Sequence, residues 1–258
     1  MAIARHLILH LPHSSTVIPD DVRPEIVLSD VELDAELLTM TDHYTDELFT
    51  SPQASQRIVY PVSRLVLDPE RFVDDTSEVM ASRGMGLIYT RSSGGATLRE
   101  RPSPAHRQTL IERFYEPHHR ALTAAVDASL SDRGTCLIVD GHSFPAGPLP
   151  FELDQTSSRP DICLGTDRTH TPAWLAALAR DLFRDAGWSV AFDQPFAGAL
   201  VPITHFGVTP QVRSIMVELN RALYMDESSG QRLPCFDDVA TRLASVLAHL
   251  AGAAEDRR

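Results

Sequence analysis

The stretch Thr135-Cys-Leu-Ile-Val-Asp140-Gly-His142-Ser-Phe-Pro145 determines how we interpret the rest of the sequence. Its apolar first half is typical of a strand that is buried on both faces of a parallel sheet. The apolar run breaks at Asp140-Gly141, and His142 follows where we expect the backbone to turn. Because such strands present the residues after their carboxyl ends to a crevice, the sequence predicts that His142 lies at a functional site.

Two further apolar runs end in a similar way. Residues 6–11 lead into Pro12-His13-Ser14, and residues 215–217 lead into Glu218. If these strands share one sheet with the strand before His142, their ends meet at one rim. The sequence therefore predicts a site that contains two imidazoles and one carboxylate.

Strands that alternate with helices predict an α/β fold. We predict further strands within residues 57–68 (with a kink at Pro61), 86–91, 161–166 and 189–192. Helices are predicted from Asp30 to about Phe49, from Ser103 to Leu130 with a kink or break at Pro117, from Thr171 to about Gly187, and from Phe236 to about Leu250. No linker divides residues 1–258, so we expect a single three-layer domain with a mixed, mostly parallel sheet between helices.

The composition argues against several kinds of partner. The net charge of −12 argues against nucleic acid and anionic membranes. No apolar stretch reaches the length of about 18 residues that a membrane span needs, and the first residues do not have the pattern of a signal peptide. Cys136, Cys163 and Cys235 are too few and too scattered for a disulfide framework. We therefore expect a cytoplasmic protein that acts on a small molecule.

His13 and His142 both follow predicted strands and both precede a serine. A lone histidine in such a position commonly makes only local hydrogen bonds. Two of them near an acidic residue favour zinc, because imidazole and carboxylate are ligands that zinc prefers, and a catalytic zinc keeps three protein ligands and one water.

Two aspartates could complete the zinc site. Asp42 and Asp46 are four residues apart, at the edge of the apolar face of the first predicted helix. The alternative is that this helix face is simply solvated. We choose Asp46 as the third ligand of one catalytic Zn²⁺ and keep Asp42 in reserve.

Glu218 ends an apolar run. A carboxylate buried there carries a desolvation penalty, so we expect it to be paired with a cation or to have a functional role. We expect it to act as the general base toward zinc-activated water. The alternative is a salt bridge to Arg213 or Arg221.

Arginine supplies every cationic side chain of this protein. All 23 cations are arginine, which excludes lysine-based chemistry. Arginine can hold a carboxylate through two parallel hydrogen bonds. Arg64, Arg71 and Arg91 flank short predicted strands and are candidates to bind an acidic substrate, although a surface position is the usual one for any single arginine.

Several motifs together resemble the N-formylglutamate amidohydrolase family. They are Pro12-His-Ser-Ser15, Asp42-x-x-x-Asp46-x-Leu48, Ser63-Arg-Leu-Val-Leu-Asp68-Pro-Glu-Arg71, Asp140-Gly-His-Ser143 and Val217-Glu-Leu-Asn-Arg-Ala-Leu-Tyr-Met-Asp-Glu227. The resemblance implies a zinc-carboxypeptidase-like (phosphorylase/hydrolase-like) fold and hydrolysis of an N-acyl amide by a metal-dependent enzyme. It implies that His13 and His142 bind the metal with an acidic third ligand, and that Glu218 is the base.

One motif departs from the family pattern. Members with the named activity tend to have Asp-Leu-Asn-Arg where this chain has Asp68-Pro69-Glu70-Arg71. Related zinc carboxypeptidases use such an Asn-Arg pair to bind the substrate carboxylate. We expect Glu70 to repel an acidic substrate or to bind Arg71, which argues against N-formylglutamate as the substrate.

Two alternatives to an N-acyl amidohydrolase remain at this point. One is a zinc carboxypeptidase-like activity on short peptides. The other is a catalytically silent protein that binds a small molecule on the same fold.

Overall fold

The computed structural model describes residues 6–256. Within them, a six-stranded sheet is formed by β1 (Leu7–Leu11), β2 (Ala54–Val59), β3 (Cys136–Phe144), β4 (Ile162–Gly165), β5 (Val190–Phe192) and β6 (Val212–Asn220). The strand order is β2-β1-β3-β6-β4-β5. The first four strands of this order are parallel, and β4 runs antiparallel to β6 and parallel to β5. The predicted mixed, mostly parallel sheet is confirmed.

The α-helices are α1 (Asp30–Met40), α2 (Thr45–Leu48), α3 (Pro104–Leu110), α4 (Glu116–Arg133), α5 (Ala173–Asp185) and α6 (Phe236–Asp256). From residue 6 to residue 256, none of the helices combines the length and the apolar character that crossing a membrane requires.

Side-chain alternation along the central strands buries both faces of the sheet. Leu9 of β1 and Leu137 of β3 belong to a core cluster that includes residues of α5 and α6. Ile8 and Ile138, which point the opposite way, pack with Leu122 and other residues of α4. Successive residues of a strand face opposite sides, so the continuous apolar runs of the sequence produce a three-layer arrangement of helices, sheet and helix.

The central strand β3 is longer than the sequence suggests. We expected it to end at Asp140-Gly141, but pairing with β6 continues through Phe144 and places His142 opposite Glu218. Gly141 is required by packing rather than by a turn, since a Cβ there would lie 2.8 Å from side-chain atoms of Leu11 and Phe49. His142 is therefore part of the sheet.

The first predicted helix is shorter than expected. Ser29 caps its first turn, with a reciprocal hydrogen bond between Ser29 and Glu32, and α1 ends at Met40 rather than near Phe49. The chain then passes through Tyr44, which has a left-handed φ of 65°, before α2 begins. Asp42 therefore lies in the connection between two helices, and it does not share a helix face with Asp46.

The predicted break at Pro117 is replaced by a π-helical segment, Ile111–Tyr115, between α3 and α4. There the Glu116 N–H donates to the carbonyl of Ile111, five residues earlier. Pro117 then falls in the first turn of α4. The helical path continues through the proline.

The strand predicted at residues 86–91 is absent from the described chain. This segment is irregular, and its strand-like pairing is limited to an isolated bridge between Arg91 and Thr97. Its apolar residues instead pack in loop conformation, with Leu87 and Ile88 in one core cluster and Tyr89 in another.

The close packing around Gly165 of β4 can be tested by mutation. A Cβ at Gly165 would lie 2.2 Å from the carbonyl oxygen of Gly198 and 2.4 Å from Cε of Met216. Because backbone must move to admit it, we expect Gly165→Ala to lower the free energy of unfolding by about 1–3 kcal/mol in urea denaturation followed by circular dichroism.

Gly252→Ala in α6 is the matched control, because nothing lies within 4 Å of the added methyl group. Alanine is the better helix former, so this variant should be as stable as the wild type or more stable. Equal stabilities of the two variants would contradict the close approach at Gly165.

Candidate active site

A pocket of ≈ 620 Å³ lies where β1, β3 and β6 deliver their polar residues. His13 follows β1, and His142 and Glu218 are paired neighbours on β3 and β6. Arg64 and Arg71 also line this pocket. The structure thus brings together five of the seven site residues that the sequence analysis selected.

The two histidines and Asp42 form a tight triangle. Nδ1 of His13 lies 3.2 Å from Nδ1 of His142. Oδ2 of Asp42 lies 3.2 Å from Nδ1 of His142 and 3.6 Å from Nδ1 of His13. Two ligand atoms of a tetrahedral zinc ion, with bonds of about 2.0–2.1 Å, lie about 3.3 Å apart. The spacing of these three atoms therefore suits a small cation.

The opposite edges of both imidazoles face carboxylates. Nε2 of His13 lies 2.9 Å from Oδ1 of Asp68, with which it forms a hydrogen bond. Nε2 of His142 lies 3.1 Å from Oδ1 of Asp140 and 3.3 Å from Oε1 of Glu70, although it makes a well-aligned hydrogen bond with neither. The hydrogen bond of His13 to Asp68 is typical of histidines that bind metals, which donate their second N–H to a carboxylate.

Asp42 is fixed from its other side by Arg221. The Arg221 guanidinium donates to Oδ1 of Asp42 at 3.0 Å and to the Thr39 carbonyl at 2.6 Å. Its Nε also donates to Oγ of Ser143 at 3.1 Å. Arg221 is buried in the pocket wall, where it holds Asp42 in place.

Asp46 lies away from the two histidines. It is half-buried on α2, outside the pocket lining, and its backbone carbonyl accepts a hydrogen bond from Arg57. The left-handed turn at Tyr44 separates it from Asp42. The structure thus places Asp42, the reserve choice, where we expected Asp46.

Glu70 is a fourth carboxylate near the imidazoles, after Asp42, Asp68 and Asp140. His13, His142 and Glu70 have potential ligand atoms within 4.8 Å of one another, as do His10, Glu70 and Asp140. We expected that Glu70 would either repel an acidic substrate or bind Arg71. The second possibility is wrong, because Glu70 approaches the histidines and Arg71 approaches Glu78 and Asp68.

The carboxylates favour positive charge on both imidazoles. Burial alone would lower the pKa of His142, but Glu70 and Asp140 raise it well above its usual value. Burial also opposes protonation of His13, and Asp68 and Asp42 raise the pKa of this histidine. The protein therefore creates a place where a cation is stabilised, whether that cation is a proton or a metal.

Glu218 has an unusual environment for a carboxyl group. It is 7% exposed, and its Oε2 has no hydrogen-bond partner. Burial raises its pKa to about 8, and the negative charges of Asp42 and Glu70 add to the effect while His142 opposes it. A buried, unpaired carboxyl group next to a reaction pocket is suited to transfer protons near neutral pH.

The two arginines that we considered as salt-bridge partners of Glu218 have other partners. Arg221 binds Asp42, and the Arg213 guanidinium lies over the ring of Trp174, 5.2 Å from its centroid. Oε2 of Glu218 accepts from neither of these arginines.

The three candidate substrate-binding arginines differ in their partners and in whether they line the pocket. Arg64 donates to Oδ2 of Asp68 at 2.7 Å. Arg71 lies 3.5 Å from Glu78, and its buried Nε has no hydrogen-bond partner. Arg91 is exposed, lies outside the pocket lining and donates to Oγ1 of Thr97 at 3.0 Å. Arg71 is thus best placed to bind a ligand, and Arg91 does not reach the site.

A sequence model described as N-formylglutamate amidohydrolase matches residues 5–225 of the chain. The chain belongs to the N-formylglutamate amidohydrolase family. Both histidines, Asp42 and Glu218 lie within the matched residues, and α6 lies beyond them. A search of curated proteins gave no match.

Two solved structures share the fold of this N-formylglutamate amidohydrolase family member. The crystal structure of N-formylglutamate amidohydrolase from Ralstonia eutropha JMP134 has a TM-score of 0.81 and 23% identity, covering 98% of this chain and 95% of that one. A gene product from Agrobacterium tumefaciens has a TM-score of 0.63 and 18% identity, covering 98% and 92% respectively. At these identities the similarity concerns the fold.

A buried polar chain, which we did not predict from the sequence, lies behind the site of this amidohydrolase family member. Nδ1 of His10 lies 2.7 Å from Oδ1 of Asp140, and Nε2 of His10 lies 2.8 Å from Nε2 of His118 on α4. Asp140 contacts His142 as well, so it joins His10 to the site. A signal was present, since Asp140 and His142 are two residues apart and must share a face of β3.

The raised pKa of Glu218 predicts a pH-dependent stability in the metal-free protein. Between its ordinary pKa of 4.5 and about 8, the folded protein keeps a proton on Glu218 that the unfolded chain releases. Stability attributable to this group therefore falls as the pH rises through this interval, by up to about 1.4 kcal/mol per pH unit. Because a glutamine cannot ionise, we expect the stability of Glu218→Gln relative to wild type to increase with pH over the same interval.

Urea denaturation in EDTA at several pH values measures this difference. Glu100→Gln, at an exposed position, controls for the loss of a formal charge. A difference between Glu218→Gln and wild type that stays constant with pH would show that burial does not raise the pKa of Glu218.

Proposed function

We propose that the protein is a zinc-dependent amidohydrolase that cleaves the N-acyl amide of a small amino-acid substrate. The observation that carries this proposal is the triangle of His13, His142 and Asp42 beside the unpaired carboxyl group of Glu218. Membership of the N-formylglutamate amidohydrolase family supports the reaction class, because that name describes hydrolysis of an N-acyl amide.

His13 and His142, each through Nδ1, and Asp42 through Oδ2 would hold the metal. These donor types are the ones that zinc takes, and their spacing of 3.2–3.6 Å suits its bond lengths. The carboxylate of Asp68 accepts from Nε2 of His13 and would keep this ring oriented, and Asp140 lies 3.1 Å from Nε2 of His142. When bound, zinc supplies Lewis acidity to the amide carbonyl and to a water molecule.

Glu218 would move the proton during hydrolysis. Its free Oε2 can accept a proton from the attacking water and then donate it to the nitrogen of the departing amine. A cation at the two histidines would lower the pKa of this carboxyl group and favour its basic form at neutral pH.

Arg71 would orient the substrate. Its side chain is partly exposed and lines the pocket, so its guanidinium can donate to the carboxylate of an N-acyl amino acid. Arg64 also lines the pocket, but its guanidinium is already bound to Asp68.

Elemental analysis of purified protein tests the metal assignment. We expect about one zinc per chain in the wild type and a large loss in His142→Ala and Asp42→Asn, because each removes one of three ligands. Asp46→Asn is the matched control, since Asp46 lies outside the pocket. Asp46→Asn should retain zinc. Glu70→Gln distinguishes Glu70 from Asp42 as the acidic ligand, because it should also retain zinc if Asp42 is the ligand.

Absence of zinc from the wild type, even after incubation with the ion, would refute the zinc-dependent hydrolase and favour a binding protein. Loss of zinc in Asp46→Asn but not in Asp42→Asn would reverse our choice of aspartate.

The role of Glu218 is tested by Glu218→Gln on an N-acyl amino acid that the wild type hydrolyses. The glutamine keeps the size of the side chain but cannot accept the proton, so kcat should fall by about 10²–10⁴. The zinc content should stay at the wild-type value, because Glu218 is not one of the proposed ligands. Full activity in this variant would remove Glu218 from the mechanism.

A further inference from the structure

The outer wall of the pocket is apolar. Three of its side chains are both large and solvent-exposed: Phe72 at 58%, Val79 at 67% and Leu153 at 65%. A single exposed apolar residue is ordinary, but several at the mouth of one cavity indicate a surface that becomes covered when a ligand binds.

The apolar surface continues into the pocket. Leu149, Phe151 and Phe196 are partly exposed and line the same cavity. These residues come from separate loops, at positions 72–80, 145–153 and 195–200, whose apolar side chains meet around one space. An apolar ligand group of a few carbon atoms would be enclosed by them.

Most positive charge at the pocket is already neutralised. Arg221 binds Asp42, and Arg64 binds Asp68. Arg159, which lies over the rings of Phe144 and Phe196, is paired with Glu152. None of these guanidiniums offers an uncompensated charge to a second carboxylate of a ligand.

One carboxylate of the lining is not compensated by an arginine. Glu78 and Glu152 form ion pairs with Arg71 and Arg159, whereas the ion pairs of Glu70 within residues 6–256 are with histidines. Among the arginines that line the pocket, Arg71 is the one whose buried Nε makes no hydrogen bond, and this atom lies 3.6 Å from Oδ2 of Asp68. The charges therefore suit a ligand with one carboxylate and disfavour a dicarboxylate.

We propose that the substrate is an N-acyl amino acid with a single carboxylate and an aliphatic or aromatic side chain, rather than an N-acylglutamate. This inference rests on the proposed amidohydrolase function. Arg71 binds the α-carboxylate, and the apolar loops around Leu153 enclose the side chain. In the reaction the amide C–N bond breaks, the acyl carbon gains the hydroxyl group of water, and the amine nitrogen gains the proton.

The test compares N-formylmethionine with N-formylglutamate, because the two side chains have similar lengths and differ mainly in charge. We expect kcat/KM of the zinc-loaded wild type to be at least about tenfold higher for N-formylmethionine, given the free energy of burying its side chain. N-formylleucine and N-formylphenylalanine, as further apolar substrates, should share this advantage over N-formylglutamate.

A substitution in the apolar wall of the pocket tests whether this wall causes the preference for N-formylmethionine. Leu153→Arg places a cation beside the proposed side-chain site and should narrow the ratio between the two substrates by several-fold or reverse it. Val31→Arg is the matched control, because Val31 is 81% exposed on α1 and does not line the pocket. For Val31→Arg, the ratio of kcat/KM between the two substrates should equal that of the wild type.

Calorimetric titration of the zinc-loaded Glu218→Gln protein with both ligands gives a measurement that does not require turnover. Tighter binding of N-formylmethionine supports the inference. If N-formylglutamate binds more tightly and is hydrolysed at least as efficiently, the inference is overturned and the amidohydrolase function stands. If the wild type hydrolyses no N-acyl amino acid, the proposed function fails, and the relative binding of the two ligands still decides which side chain the pocket prefers.

Discussion

Compensation of buried negative charge is the constraint on which this structure depends. Asp42, Asp68 and Asp140 are each at most 2% exposed. Carboxylates in such surroundings carry a large desolvation penalty unless positive charge lies close by. Arginines that line the pocket supply part of that charge, and the two imidazoles at its centre supply the rest. The centre is thus electrostatically incomplete without a proton or a metal ion at the histidines.

The position of this centre follows from the geometry of the sheet. Asp140 and His142 share a face of β3 because they are two residues apart, and parallel register places Glu218 on the neighbouring strand beside His142. Strands in a sheet lie about 4.8 Å apart, so these side chains are neighbours without any special loop. His13 joins them because β1 pairs with the other edge of β3.

Periodicity and apolar runs were sufficient to predict the layered α/β fold, the three central strands and the two histidines with Glu218. They could not predict the choice between Asp42 and Asp46, because a left-handed residue at Tyr44 breaks a pattern that otherwise continues as a helix. Gly141 was misleading for a similar reason. A glycine after an apolar run commonly marks a turn, but here it permits close packing against Phe49. The contacts of Glu70 and His118 depend on tertiary proximity, which no local pattern records.

The centre and the walls of the pocket belong to different parts of the chain. His142 and Glu218 lie on central strands whose backbones are paired on both sides, whereas the walls come from three loops outside the sheet. Loops tolerate substitution and changes in length far better than central strands do. Descendants of such a protein can therefore acquire new substrate ranges through changes in the loops, while the reacting groups are inherited unaltered on the sheet.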